Sequence, residues 1–251
     1  MKISIITVCY NSEKYIRSAI ESVLRQTYEN IEYVVVDGGS TDSTRDIIKE
    51  YAPQFNGRMR WISEPDNGIY DAMNKGIKMA TGDVIGILNS DDVYFDDKVI
   101  EDIILQVSSE NVDSIYGNII MVHPDSLHSI IRIWKSSAFK PNSFRKGWHP
   151  PHPAFFVRKK VYDNFGIFDT SFDISADFEL MLRFLEKQRI STMYYDRMIV
   201  KMRTGGESTG SVKRIIRGNR GVVKAFKKHN MPVSILYPFY RLVPKLLQFI
   251  R

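Results

Sequence analysis

Gly-Asp-Val-Ile-Gly-Ile-Leu-Asn-Ser-Asp-Asp, residues 82–92, is the stretch whose reading decides the fold. Val84–Leu88 is an apolar run of strand length, and it stops abruptly at Asn89, Ser90, Asp91 and Asp92. Such a run reads as a buried strand. Two adjacent carboxylates at its C-terminal end repel each other and lose hydration, so a compensating charge is expected. A hard divalent cation supplies one, using oxygen ligands, waters and substrate phosphates. The carboxyl edge of the strands is also where open α/β sheets hold ligands. A solvated turn or a helix N-cap would put the same two acids there, so the rest of the chain must decide.

Working outward, strand and helix patterns alternate through the first hundred residues. Lys2–Val8 is β-branched; Ile16, Ala19, Ile20, Val23 and Leu24 then recur at helical spacing. Ile31–Val36 is near-continuously apolar, as central parallel strands are. Gly38–Asp42 turns into a helix carrying Ile47, Ile48 and Tyr51, and Arg58–Ser63 is a weaker strand. Gly68–Ala80 and Asp96–Val107 read as helices on either side of the fourth strand. Repeated βα units with short loops predict an α/β fold with a mostly parallel sheet flanked by helices. Beyond residue 110 the beat is less regular. Strands are expected at 114–122, 130–134, 154–157 and 192–200, a Pro, His and aromatic-rich loop at 136–153, and a helix at Ser175–Glu186.

Composition sets bounds. The 251 residues are 43% hydrophobic and 12% aromatic, which suits a globular protein. The single cysteine, Cys9, rules out an intrachain disulfide and suits a reducing compartment. The N-terminal residues lack the pattern of a signal peptide, and no run is long enough to span a bilayer. The net charge of +6 hides an asymmetry. Residues 212–251 carry ten Lys/Arg and no acid, while the other 211 residues hold 25 basic and 29 acidic groups. This predicts a mildly acidic body over 1–211, with halves 1–110 and 111–211, and a basic helical tail over 212–251.

Several side chains have chemistry to offer, each with a plainer account beside it. Asp37, before Gly38-Gly39, could pair with a base or ribose, or simply begin a turn. Tyr10 and Asn11 end the first strand on the same edge; Tyr10 could stack on a base or pack at the rim. Asp71 and Lys75 stand at i and i+4, the spacing of a surface ion pair, yet Lys75 could neutralise phosphate instead. Asp177 opens the 175–186 helix, where an acid is also a good N-terminal charge. His149 and His152 sit in the proline-rich loop without a nearby third ligand, a weak basis for zinc.

Four motifs together resemble the inverting family two glycosyltransferases of GT-A fold, which use nucleotide-diphosphate sugars. They are Ile-Ile-Thr-Val-Cys-Tyr-Asn (5–11), Val-Val-Val-Asp-Gly-Gly-Ser-Thr-Asp (34–42), Glu-Pro-Asp-Asn-Gly-Ile-Tyr-Asp-Ala-Met-Asn-Lys-Gly (64–76) and Asn-Ser-Asp-Asp (89–92), in the family's order and spacing. Residues 1–100 carry most of the likeness, 150–210 less, and the tail hardly any. The resemblance implies a Rossmann-like sheet, with Val8, Tyr10, Asn11 and Asp37 at the nucleotide base. It places Asp71 and Lys75 in the donor site, Asp91 toward the ribose and Asp92 on a Mn²⁺ or Mg²⁺ that bridges the diphosphate. Asn-Ser-Asp-Asp departs from the strict Asp-x-Asp form, so either acid could be the direct metal ligand. Asp177 is implied as general base, ahead of Asp173 or Glu179, with His152 and Glu179 on the acceptor side. Arg203-Thr204-Gly205-Gly206-Glu207-Ser208 resembles a glycine-containing loop that could close over the donor, or is a plain interdomain linker. UDP-sugars as donors, and a glycan or lipid-linked acceptor in surface polysaccharide synthesis, are the family's commonest partners.

The tail has two apolar, basic-bordered stretches separated near Asn230-Met231-Pro232, the second broken by Pro238 and Pro244. It suits an anionic membrane surface, here the inner face of a bacterial plasma membrane. Packing on the body or an oligomer contact are the alternatives; nucleic acid is disfavoured because the body is acidic. A nucleotidyltransferase is disfavoured because Cys9–Tyr15 lacks a glycine-rich phosphate loop. A catalytically inactive, lipid-bound scaffold is disfavoured because Asp37, Asp91, Asp92 and Asp177 are all present.

Overall fold

Successive residues of a strand face opposite sides of its sheet, and in the first two strands both sides are covered. The computed structural model describes residues 1–205, 212–234 and 237, and among these the side chains of all but 212–215. β1 (Ile3–Cys9) leads through α1 (Ile16–Leu24) to β2 (Ile31–Asp37), and every residue of both strands is buried. Ile6, Val34 and Val36 join one apolar cluster; Ile5, Tyr33 and Val35 join another on the opposite side. Glu32 is the exception in this apolar run. Burial pushes its carboxyl up, but hydrogen bonds from Ser4, Thr81 and Lys2 outweigh that and hold it down at about 2.

The chain continues through α2 (Thr44–Tyr51), β3 (Met59–Ser63), α3 (Ile69–Met79), β4 (Val84–Ile87), the two-residue β5 (Val93–Tyr94) and α4 (Val99–Ser109). There follow β6 (Ser114–His123), β7 (Ser126–Trp134), β8 (Phe155–Arg158), α5 (Lys159–Phe165) and α6 (Ala176–Met181), which runs on as π-helical Leu182–Lys187. β9 (Thr192–Arg203) and α7 (Val212–Lys228) complete the described elements. The described strands form one sheet in the order β3-β2-β1-β4-β8-β6-β9-β5, with β7 on the edge of β6. β3, β2, β1 and β4 are parallel, as the βα repeats imply. β8 then enters antiparallel between β4 and β6, so the second half is mixed rather than parallel.

α7 is no detached tail. Val222, Ala225 and Phe226 are buried in the same apolar cluster as Phe178 of α6, and the Phe226 ring lies 5.8 Å from that of Phe178. The body therefore extends past the boundary expected at 211. The second apolar stretch of the tail lies largely outside the described residues. No helix among the described residues is long and apolar enough to cross a membrane.

Candidate active site

β1 pairs in parallel with both neighbours, Cys9 opposite Asp37 and Ile6 opposite Ile87. This register sets the loops after β1, β2 and β4 on one edge of the sheet, and hydroxyl contacts knit them together. Ser12 Oγ lies 3.1 Å from Ser90 Oγ. Asn11 takes a left-handed conformation at φ 47°; its N–H donates to Ser40 Oγ at 2.8 Å, and its Oδ1 accepts the Thr41 N–H at 2.9 Å. Asn11 thus shapes the loop edge. Val8 is buried beneath, while Tyr10 is 63% exposed.

Asp37, expected at the base, is turned inward and fully buried. Its Oδ2 accepts the Ser40 N–H at 3.0 Å and the Ser63 hydroxyl at 2.6 Å, and Ser40 Oγ donates to Oδ1. Above it, the neighbouring loop brings Asp66 over Gly38: a Cβ on Gly38 would lie 2.3 Å from Asp66 Oδ2 and 3.5 Å from Tyr10 Cδ2. Asp66 lay inside a quoted motif but was assigned no role from the sequence. The signal was Gly38, a position where any side chain would strike that carboxylate.

The two acids after β4 part company. Asp92, expected to face a metal, is 1% exposed. Its Oδ1 accepts the Arg203 N–H at 3.1 Å, and its Oδ2 accepts from Asn89 Nδ2 at 2.9 Å. Burial first, and the Asp91 charge second, push its carboxyl well above the ordinary range. Asp91 is half-buried, and burial raises its carboxyl too, against the pull of Arg203. The Arg203 guanidinium donates to the Asp91 backbone carbonyl and to Pro124 O, fixing the turn. Of the two carboxylates, Asp91 is the one that faces solvent. Among the described residues no group of three or more His, Cys, Asp or Glu gathers as a protein-only metal cage.

Asp71 and Lys75 form no pair with each other. Asp71 Oδ2 caps the Asn67 N–H at 3.0 Å. Lys75 Nζ reaches back to Glu64 Oε1 at 2.9 Å and Pro65 O at 2.8 Å. Both residues therefore brace the 64–68 loop that carries Asp66.

The second cluster lies where α3 meets the loop before α6. Tyr70 OH donates to Ile174 O at 2.8 Å and to Asp177 Oδ1 at 3.2 Å, and its ring stacks on Phe168 at 5.5 Å. Asn74 exchanges two hydrogen bonds of 2.9 Å with the Phe168 backbone, pinning that loop to α3. His152 packs edge-on to Phe168 at 5.6 Å; burial lowers its pKa, and the Asp177 charge opposes the shift. Asp177 is half-buried, so the cluster ends in a carboxylate that is both held and reachable. His149 meets Trp134 and Phe178 edge-on instead.

Glu179, expected on the acceptor side, is fully buried on the other face of α6. His229 Nε2 lies 2.6 Å from its Oε1, Lys228 Nζ 3.1 Å from the same oxygen, and Arg183 Nη2 3.2 Å from Oε2. Burial raises its carboxyl, but these three partners together bring it below the ordinary value. It bolts α6 to α7, and its carboxylate has no exposed surface. Asp173 is exposed and paired with Arg217.

Comparison with known proteins agrees with this architecture. The model of the family described as Glycosyl transferase family 2 matches residues 4–189. A PGL/p-HBAD biosynthesis glycosyltransferase of Mycobacterium bovis (strain BCG / Pasteur 1173P2) is 30% identical over 192 residues, covering 76% of this chain and 72% of the relative. An uncharacterized glycosyltransferase of Mycobacterium tuberculosis (strain CDC 1551 / Oshkosh) is 33% identical over 184 residues, 72% of this chain and 68% of the relative. Among solved structures, S. aureus TarS 1-349 in complex with UDP-GlcNAc superposes with a TM-score of 0.67 at 20% identity, covering 98% of this chain and 72% of that one. The mannosyltransferase PcManGT from Pyrobaculum calidifontis, in complex with GDP-Man and Mn²⁺, gives 0.67 at 17% identity, covering 99% and 70%. Against the longer TarS chain, the protein spans 43% of its length. With a family match over residues 4–189 and a relative 30% identical over 76% of its length, the chain belongs to glycosyl transferase family 2 and is a glycosyltransferase of GT-A fold.

Proposed function

We propose that the protein transfers a sugar, with inversion, from a nucleotide-diphosphate sugar to a hydroxyl of a glycan or lipid-linked acceptor, with a UDP-sugar as the first donor to test. The observation that carries this reading is Asp177, half-buried and held by the Tyr70 hydroxyl at 3.2 Å. A carboxylate so placed can take the acceptor's proton as its oxygen attacks the anomeric carbon. The nucleoside diphosphate departs from the opposite face with the bonding electron pair, which inverts the anomeric centre. His152 lines the same cluster.

Asp91 suits a hard cation such as Mn²⁺ or Mg²⁺, because it is the solvent-facing acid of a repelling pair. When bound, the cation would offset the charge that develops on the leaving diphosphate. UDP-GlcNAc in TarS and GDP-Man with Mn²⁺ in PcManGT support both the donor class and the metal. On α7, Ile216, Arg220 and Lys227 are exposed, as are Arg217 and Lys224, which reach back to Asp173 and Ser171. This exposed surface suits anionic lipid and a peripheral position at the inner bacterial membrane.

Calorimetry of the full chain with nucleoside diphosphates, with and without Mn²⁺, tests the reading. Binding that tightens with Mn²⁺ supports it; no binding of any nucleoside diphosphate overturns it.

A further inference from the structure

We propose that Tyr70 is the positioning residue for Asp177: one hydroxyl clamps both that carboxylate and the backbone before α6, so the base waits ionised and aimed when the accepting hydroxyl arrives. The inference rests on the reading of Asp177 as general base.

Tyr70 lies in the Glu64–Gly76 motif without a role that spacing could assign, and it meets Asp177 from 107 positions away. Its starting point is rigid. Tyr70 stands in the first turn of α3, and α3 rests directly on β1, where a Cβ at Gly76 would lie 2.4 Å from Ile6 Cγ2. The ring stacks on Phe168 at 5.5 Å, in a loop that Asn74 pins to the same helix. A tyrosine has two side-chain torsions, and a packed ring leaves its oxygen little freedom.

That oxygen lies 2.8 Å from Ile174 O and 3.2 Å from Asp177 Oδ1. A phenol has one proton to donate. While Asp177 is ionised, its charge draws that proton from the nearer carbonyl and strengthens the bond to the carboxylate. Transfer breaks the O–H bond of the accepting hydroxyl and forms one on Asp177. The neutral acid pulls less, so the Tyr70 proton settles on Ile174 O. The clamp on the backbone thus outlasts the bond to the base, and neither ring nor helix has to move. Tyr70 does not take the reaction's proton itself. Burial first, and the Asp177 charge second, raise its pKa well above the ordinary tyrosine value, so the hydroxyl stays protonated.

The test is steady-state hydrolysis of UDP-GlcNAc and of GDP-Man with Mn²⁺, water serving as acceptor and the released diphosphate as readout. It is run on the wild-type full chain, Tyr70→Phe, Asp177→Asn and the double variant. Tyr70→Phe keeps the ring on Phe168 and loses only the hydroxyl. It should lower kcat by about tenfold or more, with donor KM and the calorimetric affinity for the matching diphosphate unchanged. In the Asp177→Asn background the same change should cost nothing further, because both act through one group. Unchanged kcat in Tyr70→Phe, beside a crippled Asp177→Asn, overturns the proposal and leaves the base reading standing. A loss that appears in donor KM rather than kcat overturns it too, by placing Tyr70 at the donor. So does an equal loss in the Asp177→Asn background, which would show Tyr70 acting apart from Asp177. Full turnover in Asp177→Asn overturns the base reading itself, and this inference with it. Failure of the wild type to turn over either sugar nucleotide overturns the donor reading and both that depend on it.

Discussion

The carboxylate of Asp92 accepts the backbone N–H of Arg203 at 3.1 Å, joining residues 111 positions apart. The bond ties the turn after β4 to the end of β9, so Asp92 belongs to the scaffold while its neighbour Asp91 faces outward. Asp92→Ala is expected to lower stability by about 1–3 kcal/mol, the cost of leaving a buried donor unpaired, measured by chemical denaturation. Asp91→Asn should leave the denaturation midpoint close to that of the wild type and abolish the Mn²⁺ dependence of nucleoside diphosphate binding. The reverse pattern would return the metal to Asp92.

Asp177→Asn should cut transfer by roughly a hundredfold or more, as for a lost general base, with donor affinity nearly unchanged. Steady-state kinetics and calorimetry on the same preparation separate the two. If donor affinity collapses while turnover survives, Asp177 serves the donor and the base lies elsewhere.

Glu32 predicts an acid-sensitive fold. Its carboxyl sits near 2 in the folded protein against an ordinary value of 4.5, so folding stabilises the ionised form. That contribution, on the order of 2 kcal/mol, is present above pH 4.5 and is lost as pH falls toward 2. Glu32→Gln should therefore destabilise the protein at pH 7 and flatten the stability profile between pH 4.5 and about 2. A profile as steep as that of the wild type would show that other groups set it.

Phe226→Ala should cost about 3–5 kcal/mol, the range for truncating a buried aromatic. A chain ending at residue 211 should lose cooperative unfolding altogether, because it also strips His229 and Lys228 from buried Glu179. A sharp, wild-type-like melt of the shortened chain would contradict the packing of α7.

Charge on the outer face of α7 offers a test of membrane binding that leaves the core alone. The full chain should sediment with vesicles containing anionic lipid and not with neutral ones, each nearby cation adding on the order of 1 kcal/mol. Replacing Arg220 and Lys227 by Glu should release most of it. Equal sedimentation of wild type and variant would remove this face from the membrane contact.

The half of the fold that was legible is the half where strands are buried on both faces. Ile3–Cys9 and Ile31–Asp37 are nearly uniform apolar runs because helices cover each side, and their order follows from the βα repeats. The second half defeats pattern reading for local reasons. β5 has two residues and owes its pairing to β9, and α5 is a seven-residue helix with only two buried side chains. The motifs marked the loops that the strand register gathers on one edge of the sheet, but could not say which way each acid turns. Asp91 and Asp92 are told apart by a backbone N–H at position 203, Glu179 by partners at 228 and 229, and Asp37 by a serine at 63. Those distances through the sequence leave no mark on the local spacing.

Glu179 lies two residues after Asp177 on α6, and its carboxylate is gripped by the last turn of α7 and the residue beyond it. The same turn of α6 therefore carries the proposed base on one side and the anchor of the basic helix on the other. If α7 rests on lipid, the bilayer becomes the bench against which the proposed base is aligned. An acceptor anchored in the same leaflet would then meet Asp177 at a height set by the depth of α7.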